Sequence, residues 1–217
     1  MAVRGLYAIT DERLGAKELL TKTRQVIKGG AGMIQYRNKH SGQEQHLHSV
    51  YELLSLCRQQ HVPLIINDDV ELAKSCGADG VHLGEQDMPL EQARAILGPR
   101  AIIGVSCYNE LNRAIIAQHA GADYVAFGSF YPSPTKPDTV HATVDLIRQA
   151  KARLSIPLVA IGGITPDNAP QLITAGADAV AVIHGLFGQV DPGRAAHRFA
   201  QLFAAVDRGI AQRAQQQ

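Results

Sequence analysis

The sequence predicts an α/β fold, a single (β/α)8 TIM barrel, on three observations. The tripeptide Gly-Ala-Asp occurs at 77–79, 121–123 and 176–178, each time after a helix-like stretch and before an apolar run. Those runs are Gly80-Val81-His82-Leu83, Tyr124-Val125-Ala126-Phe127 and Ala179-Val180-Ala181-Val182-Ile183. Glycine suits the position past a helix end because it adopts a positive φ without a Cβ clash. Runs apolar on both alternating faces suit strands covered on both sides. Five further runs keep the same rhythm, at 5–9, 33–37, 64–67, 101–105 and 157–161. Together they make about eight strands, the number that closes a barrel. Finally, the 217 residues are 46% hydrophobic but only 5% aromatic, which describes one aliphatic core.

In chain order, helical stretches fall between these runs at 14–28, 43–60, 89–97, 109–120, 142–154, 166–175 and 191–206. Pro89, Pro166 and Pro192 each sit where a first helical turn should begin, a position that does not need the missing N–H. No linker or composition shift divides the chain. The barrel takes 1–207 as its catalytic domain, and 208–217 is expected to be a polar, frayed tail. A doubly wound open sheet is the rival architecture, but no Gly-x-Gly-x-x-Gly follows the first strand.

A formal net charge of +1 gives no global attraction to nucleic acid or an anionic membrane, so neither is expected as a partner, and the small-molecule partners expected instead must be found residue by residue. Assembly as a homo-oligomer is left open. The N-terminus runs straight into a strand-like segment, and no apolar run is long enough to span a bilayer, so a cytoplasmic protein is expected. Cys57, Cys76 and Cys107 are odd in number with no Cys-x-x-Cys pair, which favours reduced, buried thiols over disulfides or zinc.

In such a barrel the carboxyl ends of all strands share one face, so polar residues just after each strand should converge. After the second strand, alternation puts Gln35, Arg37 and Lys39 on one side, a candidate anion clamp. The third strand ends in Asn67-Asp68-Asp69 and the fourth leads to Glu85-Gln86-Asp87. Magnesium takes one or two carboxylates and completes its shell with water and phosphate oxygens. Asp68 and Asp87 beside Arg37 and Lys39 therefore suggest a magnesium-bound diphosphate. The sixth strand feeds Ser129 to Lys136, a loop with hydroxyls and one more cation, and Gly162-Gly163 and His184-Gly185 follow strands seven and eight. Glycine turns there are the usual barrel site for a phosphate. One pocket thus suits a diphosphate and a monophosphate.

This pattern resembles the thiamine phosphate synthase family over nearly the whole chain, from Tyr7-Ala8-Ile9-Thr10-Asp11 to about Phe203. The stretches that carry the resemblance are Gln35-Tyr36-Arg37-Asn38-Lys39, Ile66-Asn67-Asp68, His82-Leu83-Gly84-Glu85-Gln86-Asp87, Gly104-Val105-Ser106, Pro132-Ser133-Pro134-Thr135-Lys136 and Ala160-Ile161-Gly162-Gly163-Ile164. It implies a transferase of thiamine biosynthesis. The reaction would join 4-amino-2-methyl-5-(hydroxymethyl)pyrimidine diphosphate to 4-methyl-5-(2-phosphoethyl)thiazole, giving thiamine monophosphate and diphosphate. It also implies that Gln35, Tyr36, Arg37, Asn38, Lys39, Asn67, Ser106 and Lys136 contact the pyrimidine diphosphate, and that Asp68 and Asp87 hold Mg2+. Ser133, Pro134 and Thr135, with Gly163, Ile183 and His184 largely through backbone, would hold the thiazole phosphate.

Two positions depart from the family pattern: Ser133 stands where threonine is common, and His184 where serine is common. The first keeps a hydroxyl. The His184 imidazole either points elsewhere or adds a charge-assisted phosphate contact. Taken alone, the same residues have ordinary readings: Asp68 as a helix cap, Asp87 as a loop carboxylate, Lys136 as a solvated lysine, and Ser106 as a helix start. Asp69 is read as a cap for the next helix rather than a metal ligand, and His82 as packed rather than catalytic. Asp79, Asp123 and Asp178 open strands at the opposite face and read as structural. The rival functions are a thiazole tautomerase-like barrel isomerase, which would need only the monophosphate half, and a non-catalytic phosphate-binding regulatory barrel.

Overall fold

A computed structural model describes residues 3–38, 43–132 and 140–214. Eight parallel strands pair in chain order and close on themselves. They are β1 (Gly5–Ile9), β2 (Ala31–Tyr36), β3 (Leu64–Asn67), β4 (Gly80–Leu83), β5 (Ile102–Tyr108), β6 (Tyr124–Phe127), β7 (Leu158–Ile161) and β8 (Ala179–Val182). Closure runs through Gly5 to Ala8 of β1 against Ala179 to Val182 of β8. The helices are α1 (Ala16–Lys28), α2 (Gln43–Gln59), α3 (Val70–Cys76), α4 (Leu90–Leu97), α5 (Leu111–His119), α6 (Val144–Arg153), α7 (Ala169–Ala175), α8 (His184–Phe187) and α9 (Pro192–Ala214).

Strand alternation divides the core in two. Leu6, Ile34, Leu64, Ile66, Val81, Ile103, Val125, Leu158 and Val180 pack outward in the layer shared with the helices. Tyr7, Ile9, Met33, Ile65, Tyr124, Ala126, Val159, Ala179 and Ala181 fill the barrel interior. The three cysteines are buried and unpaired, in agreement with the reading of reduced thiols.

The Gly-Ala-Asp turns have one job each per residue. Gly77 and Gly176 end α3 and α7 in the left-handed region, at φ 72° and 116°. The aspartates then clip their strand to the preceding one. Asp79 Oδ2 accepts the Leu64 N–H at 2.8 Å, Asp123 Oδ2 that of Ile103 at 2.8 Å, and Asp178 Oδ2 that of Leu158 at 2.9 Å. The Asp79, Asp123 and Asp178 N–H groups return the bond to the carbonyls of the same partners. All three lie at the amino ends of the strands, away from the strand endings.

Several elements differ from the sequence expectation. β5 continues three residues past Val105, to Tyr108. The four-residue helix α8 was not legible, being too short to show a period, whereas α3 fills the helix-like stretch expected between the Asp69 cap and the first Gly-Ala-Asp turn. Pro89 is the residue before α4 rather than inside its first turn. Pro166 lies in a turn ahead of α7, closed by Asn168 Oδ1 accepting the Thr165 N–H at 2.8 Å. Pro192 does open α9, where Asp191 Oδ1 accepts the Arg194 N–H at 2.9 Å. Helix α9 also runs on to Ala214, through residues the sequence assigns to a frayed tail. Alanine, glutamine and arginine there favour helix, with Gly209 the one weak former.

Candidate functional site

Three cavities open at the carboxyl ends of the strands and share walls. The central one is lined by Tyr7, Gln35, Asn67, His82, Ser106 and Ala181 among others. A polar mouth lies to one side, with Asn67, Asp68, Glu85, Gln86 and Asp87, and it has Arg37, Asn67, His82, Ser106 and Tyr108 in common with the centre. On the other side, Gly163, Thr165, His184 and Gly185 line a glycine-rich cradle that shares Ile161, Gly162, Ala181 and Ile183 with the centre.

At the mouth, Asp68 sits at φ 65°, a conformation that aspartate tolerates better than most residues, with its N–H donated to the His82 carbonyl. Asp87 is brought back toward the strand end by a tight turn: the Gly84 N–H donates to Asp87 Oδ2 at 2.6 Å. Asp69 accepts the Leu72 N–H at 2.8 Å and caps α3, as the sequence suggests. Arg37 follows β2, and its Nη1 lies 2.9 Å from Glu12 Oε1, with both side chains mostly buried. Its backbone is fixed as well, because Thr10 Oγ1 accepts the Arg37 N–H and donates to the Arg37 carbonyl. Two carboxylates on adjacent strand endings match the donors that magnesium takes from protein. Among the described residues there is no group of three or more His, Cys, Asp or Glu side chains placed to hold a metal.

The floor of the central cavity is polar and continuous. Gln35 Nε2 donates to Tyr7 Oη at 2.7 Å, and Tyr7 Oη lies 2.8 Å from Tyr124 Oη. Tyr124 Oη is 2.9 Å from His82 Nδ1, whose ring Nε2 is 2.8 Å from Ser106 Oγ. Desolvation pushes the Tyr7 and Tyr124 hydroxyls well above the ordinary tyrosine range. Tyr124 fits because residue 104 is glycine: a Cβ there would run into its ring.

In the cradle, Gly163 has φ 60°, and a Cβ on it would meet the carbonyls of Tyr131 and Pro132. Asn168 Nδ2 holds the Gly163 carbonyl at 3.0 Å. The loop after β6 is anchored on the same turn, since the Phe130 and Tyr131 N–H groups donate to the Ile161 and Gly162 carbonyls. His184 Nδ1 lies 3.3 Å from Arg13 Nη2. The same guanidinium donates to Asp11 at 2.5 Å, and hydrogen bonds from Arg13 hold that carboxyl below its ordinary range.

Of the residues singled out in the sequence, Gln35, Arg37, Asn67 and Ser106 line the central cavity, Asp68 and Asp87 the mouth, and Gly163 and His184 the cradle. Ile183 lines both the centre and the cradle. Tyr36 and Asn38 line none of these three cavities. Alternation turns Tyr36 outward into the helix-facing core, and both line a neighbouring cavity with Asp11, Glu12 and Ser49 that shares Arg37 with the centre and the mouth. Lys39, Ser133, Pro134, Thr135 and Lys136 lie outside the described residues. The sequence reading missed Tyr7, Tyr124, Tyr108 and Glu12. The first two were legible as inward positions by strand parity, whereas Tyr108 was hidden by ending β5 too early. His82 is packed, as expected, but both ring nitrogens are hydrogen-bonded within the site.

The family description "Thiamine monophosphate synthase" matches residues 6–186. The thiamine-phosphate synthase of Nitrosospira multiformis is 52% identical over 201 residues, covering 93% of this chain and 86% of that protein. That of Nitrosococcus oceani is 51% identical over 203 residues, covering 93% and 94%. Among solved structures, the thiamine phosphate pyrophosphorylase from Pyrococcus furiosus aligns with a TM-score of 0.84 at 36% identity, covering 93% of this chain and 96% of that one.

Proposed function

Because the chain belongs to the thiamine monophosphate synthase family, we propose that it transfers the methylene carbon of 4-amino-2-methyl-5-(diphosphooxymethyl)pyrimidine to the ring nitrogen of 4-methyl-5-(2-phosphoethyl)thiazole. The observation that carries this reading is the sharing of walls among three cavities, an acidic mouth, a hydrogen-bonding centre and a glycine cradle. Their order suits a diphosphate, a pyrimidine and a thiazole phosphate in line.

The carbon–oxygen bond breaks with its electron pair leaving on diphosphate, and the thiazole nitrogen lone pair forms the new carbon–nitrogen bond. No side-chain nucleophile is needed. Arg37, with Lys39 and Lys136 in the sequence reading, would stabilise the charge that grows on the leaving group. Asp68 and Asp87 would hold Mg2+, which when bound neutralises diphosphate charge as a Lewis acid. Gln35 and Ser106 would orient the pyrimidine, while backbone around Gly163, Ile183 and His184 would hold the thiazole phosphate so that the two reacting atoms meet. Apolar walls from Ile9, Val159, Ile161 and Ile183 would keep water from the cationic carbon.

The reading is tested by incubating the protein with magnesium and both phosphorylated substrates, or either alone. Diphosphate and thiamine monophosphate are expected in equal amounts, and only when both substrates are present. Isomerisation of the thiazole alone would support the tautomerase-like reading, and no turnover would support a regulatory barrel.

A further inference from the structure

The proposed function uses Gln35 and Ser106 but not the three residues that join them, Tyr7, Tyr124 and His82. Gln35, Tyr7, Tyr124, His82 and Ser106 form one unbroken chain of hydrogen bonds, at 2.7, 2.8, 2.9 and 2.8 Å. Its members come from β2, β1, β6, β4 and β5, so it crosses the barrel interior. Tyr7 is 1% and Tyr124 0% exposed, the rings meet edge to face, and the His82 ring stacks on Tyr124. Both phenols are kept protonated by burial.

Counting protons gives the chain a direction. An amide nitrogen only donates, so Tyr7 Oη accepts from Gln35. Each buried phenol then needs an acceptor for its own proton. Tyr7 finds Tyr124, and Tyr124 finds His82 Nδ1. The imidazole proton therefore sits on Nε2 and is donated to Ser106 Oγ. Tyr7 and His82 also line the cavity, but their polar atoms are engaged along the chain, which leaves its two ends to offer a group to a ligand. One is the carboxamide oxygen of Gln35, which has no hydrogen-bond partner among the described residues. The other is the hydroxyl proton of Ser106. One end accepts and the other donates.

We infer that this oriented chain selects the edge of the pyrimidine, with Gln35 Oε1 accepting from an exocyclic amine and Ser106 Oγ–H donating to the neighbouring ring nitrogen. A 4-oxo pyrimidine carries a carbonyl beside a ring N–H and presents the opposite pattern at both ends. Tyr7, Tyr124 and His82 are positioning residues, acting through Gln35 and Ser106. The inference rests on the pyrimidine reading of the proposed function.

The test is titration calorimetry of the full chain with magnesium and either the 4-amino pyrimidine diphosphate or its 4-oxo counterpart, beside a turnover assay of the same preparation. The unaltered protein is expected to bind the amino form about a hundredfold or more tightly, as a site built around specific donors and acceptors should. Tyr124→Phe removes the proton that fixes the His82 tautomer and lets Ser106 become an acceptor. The preference is expected to fall by about tenfold, with the oxo form gaining affinity as the amino form loses it, while the KM for thiazole phosphate is unchanged. Tyr7→Phe breaks the same chain one link earlier and is expected to move the preference in the same direction, which keeps the test decisive if Tyr124→Phe does not fold. A preference unchanged in a folded variant overturns the inference, and wild-type turnover then leaves the proposed function standing. Failure of the unaltered protein to bind or turn over the amino substrate overturns both.

Discussion

The guanidinium of Arg37 lies 2.9 Å from the carboxylate of Glu12, so the cation assigned to the diphosphate is held at the cavity lip by the loop after β1. Glu12 itself lines the neighbouring cavity, and its contact with Arg37 suits a role in aiming that guanidinium. Glu12→Gln is expected to raise the KM for the pyrimidine diphosphate about fivefold, equivalent to about 1 kcal/mol, with little change in kcat. Arg37→Ala should lower kcat/KM about a hundredfold, since it removes a donor to the leaving group. Steady-state kinetics of the two variants check this ordering; equal losses would show that Glu12 does more than orient its partner.

Asp68 and Asp87 line the same mouth from different strand endings. Asp68→Ala is expected to lower magnesium-dependent turnover by about two orders of magnitude and to raise the magnesium concentration needed for half-activity. The barrel should remain folded, because the Asp68 link to His82 is made by the backbone N–H, which alanine keeps. A magnesium titration with circular dichroism as control reads both outcomes. Near-normal turnover would remove Asp68 from the metal.

At the opposite face, Asp79 Oδ2 satisfies the N–H of Leu64, a residue with no exposed surface. Asp79→Ala leaves that donor buried without its side-chain partner, a loss of about 1–3 kcal/mol. Urea unfolding should show it, and kcat and KM for both substrates should stay within about twofold of wild type, because the clip lies at the stabilising face.

Burial pushes the Cys57 and Cys107 thiols up from 9.0 to about 12, and raises Tyr7 and Tyr124 as well. A folded pKa above the unfolded one means that the native state keeps its proton after the unfolded chain has lost it. The associated stability is complete below pH 9 and is lost as pH rises from 9 toward 12. The urea midpoint should therefore fall between pH 8.5 and pH 10.5 by these assigned groups, and fall less steeply in Cys57→Ala with Cys107→Ala. An unchanged slope in that double variant would show that the thiols do not drive the alkaline loss.

Much of the barrel is legible in the sequence because each Gly-Ala-Asp turn marks where a strand begins. The bounds of β3, β4 and β6 agree with their apolar runs. Strand endings likewise point to Asp68, Asp87, Arg37 and Ser106, since parallel strands deliver them all to one face. The relay between Tyr7 and Tyr124 was not legible. Parity shows that both point inward, but 117 residues separate them, and only the closed register brings their hydroxyls together. Tyr36 shows the converse: it stands within a suggestive motif, yet its place between Gln35 and Arg37 turns it outward. Helix α8 was hidden by its single turn, so His184 was read without its Arg13 neighbour.

The proposed reaction requires one cavity system to hold a diphosphate at one end and a monophosphate at the other. The most direct test is a crystal structure of the full chain with Mg2+, thiazole phosphate and a non-cleavable analogue of the pyrimidine diphosphate. The expected result places the metal between Asp68, Asp87 and diphosphate oxygens, the pyrimidine on Gln35 and Ser106, and the thiazole phosphate against Gly163 and His184. A metal bound away from both aspartates, or the two phosphorylated ends exchanged between mouth and cradle, would contradict it.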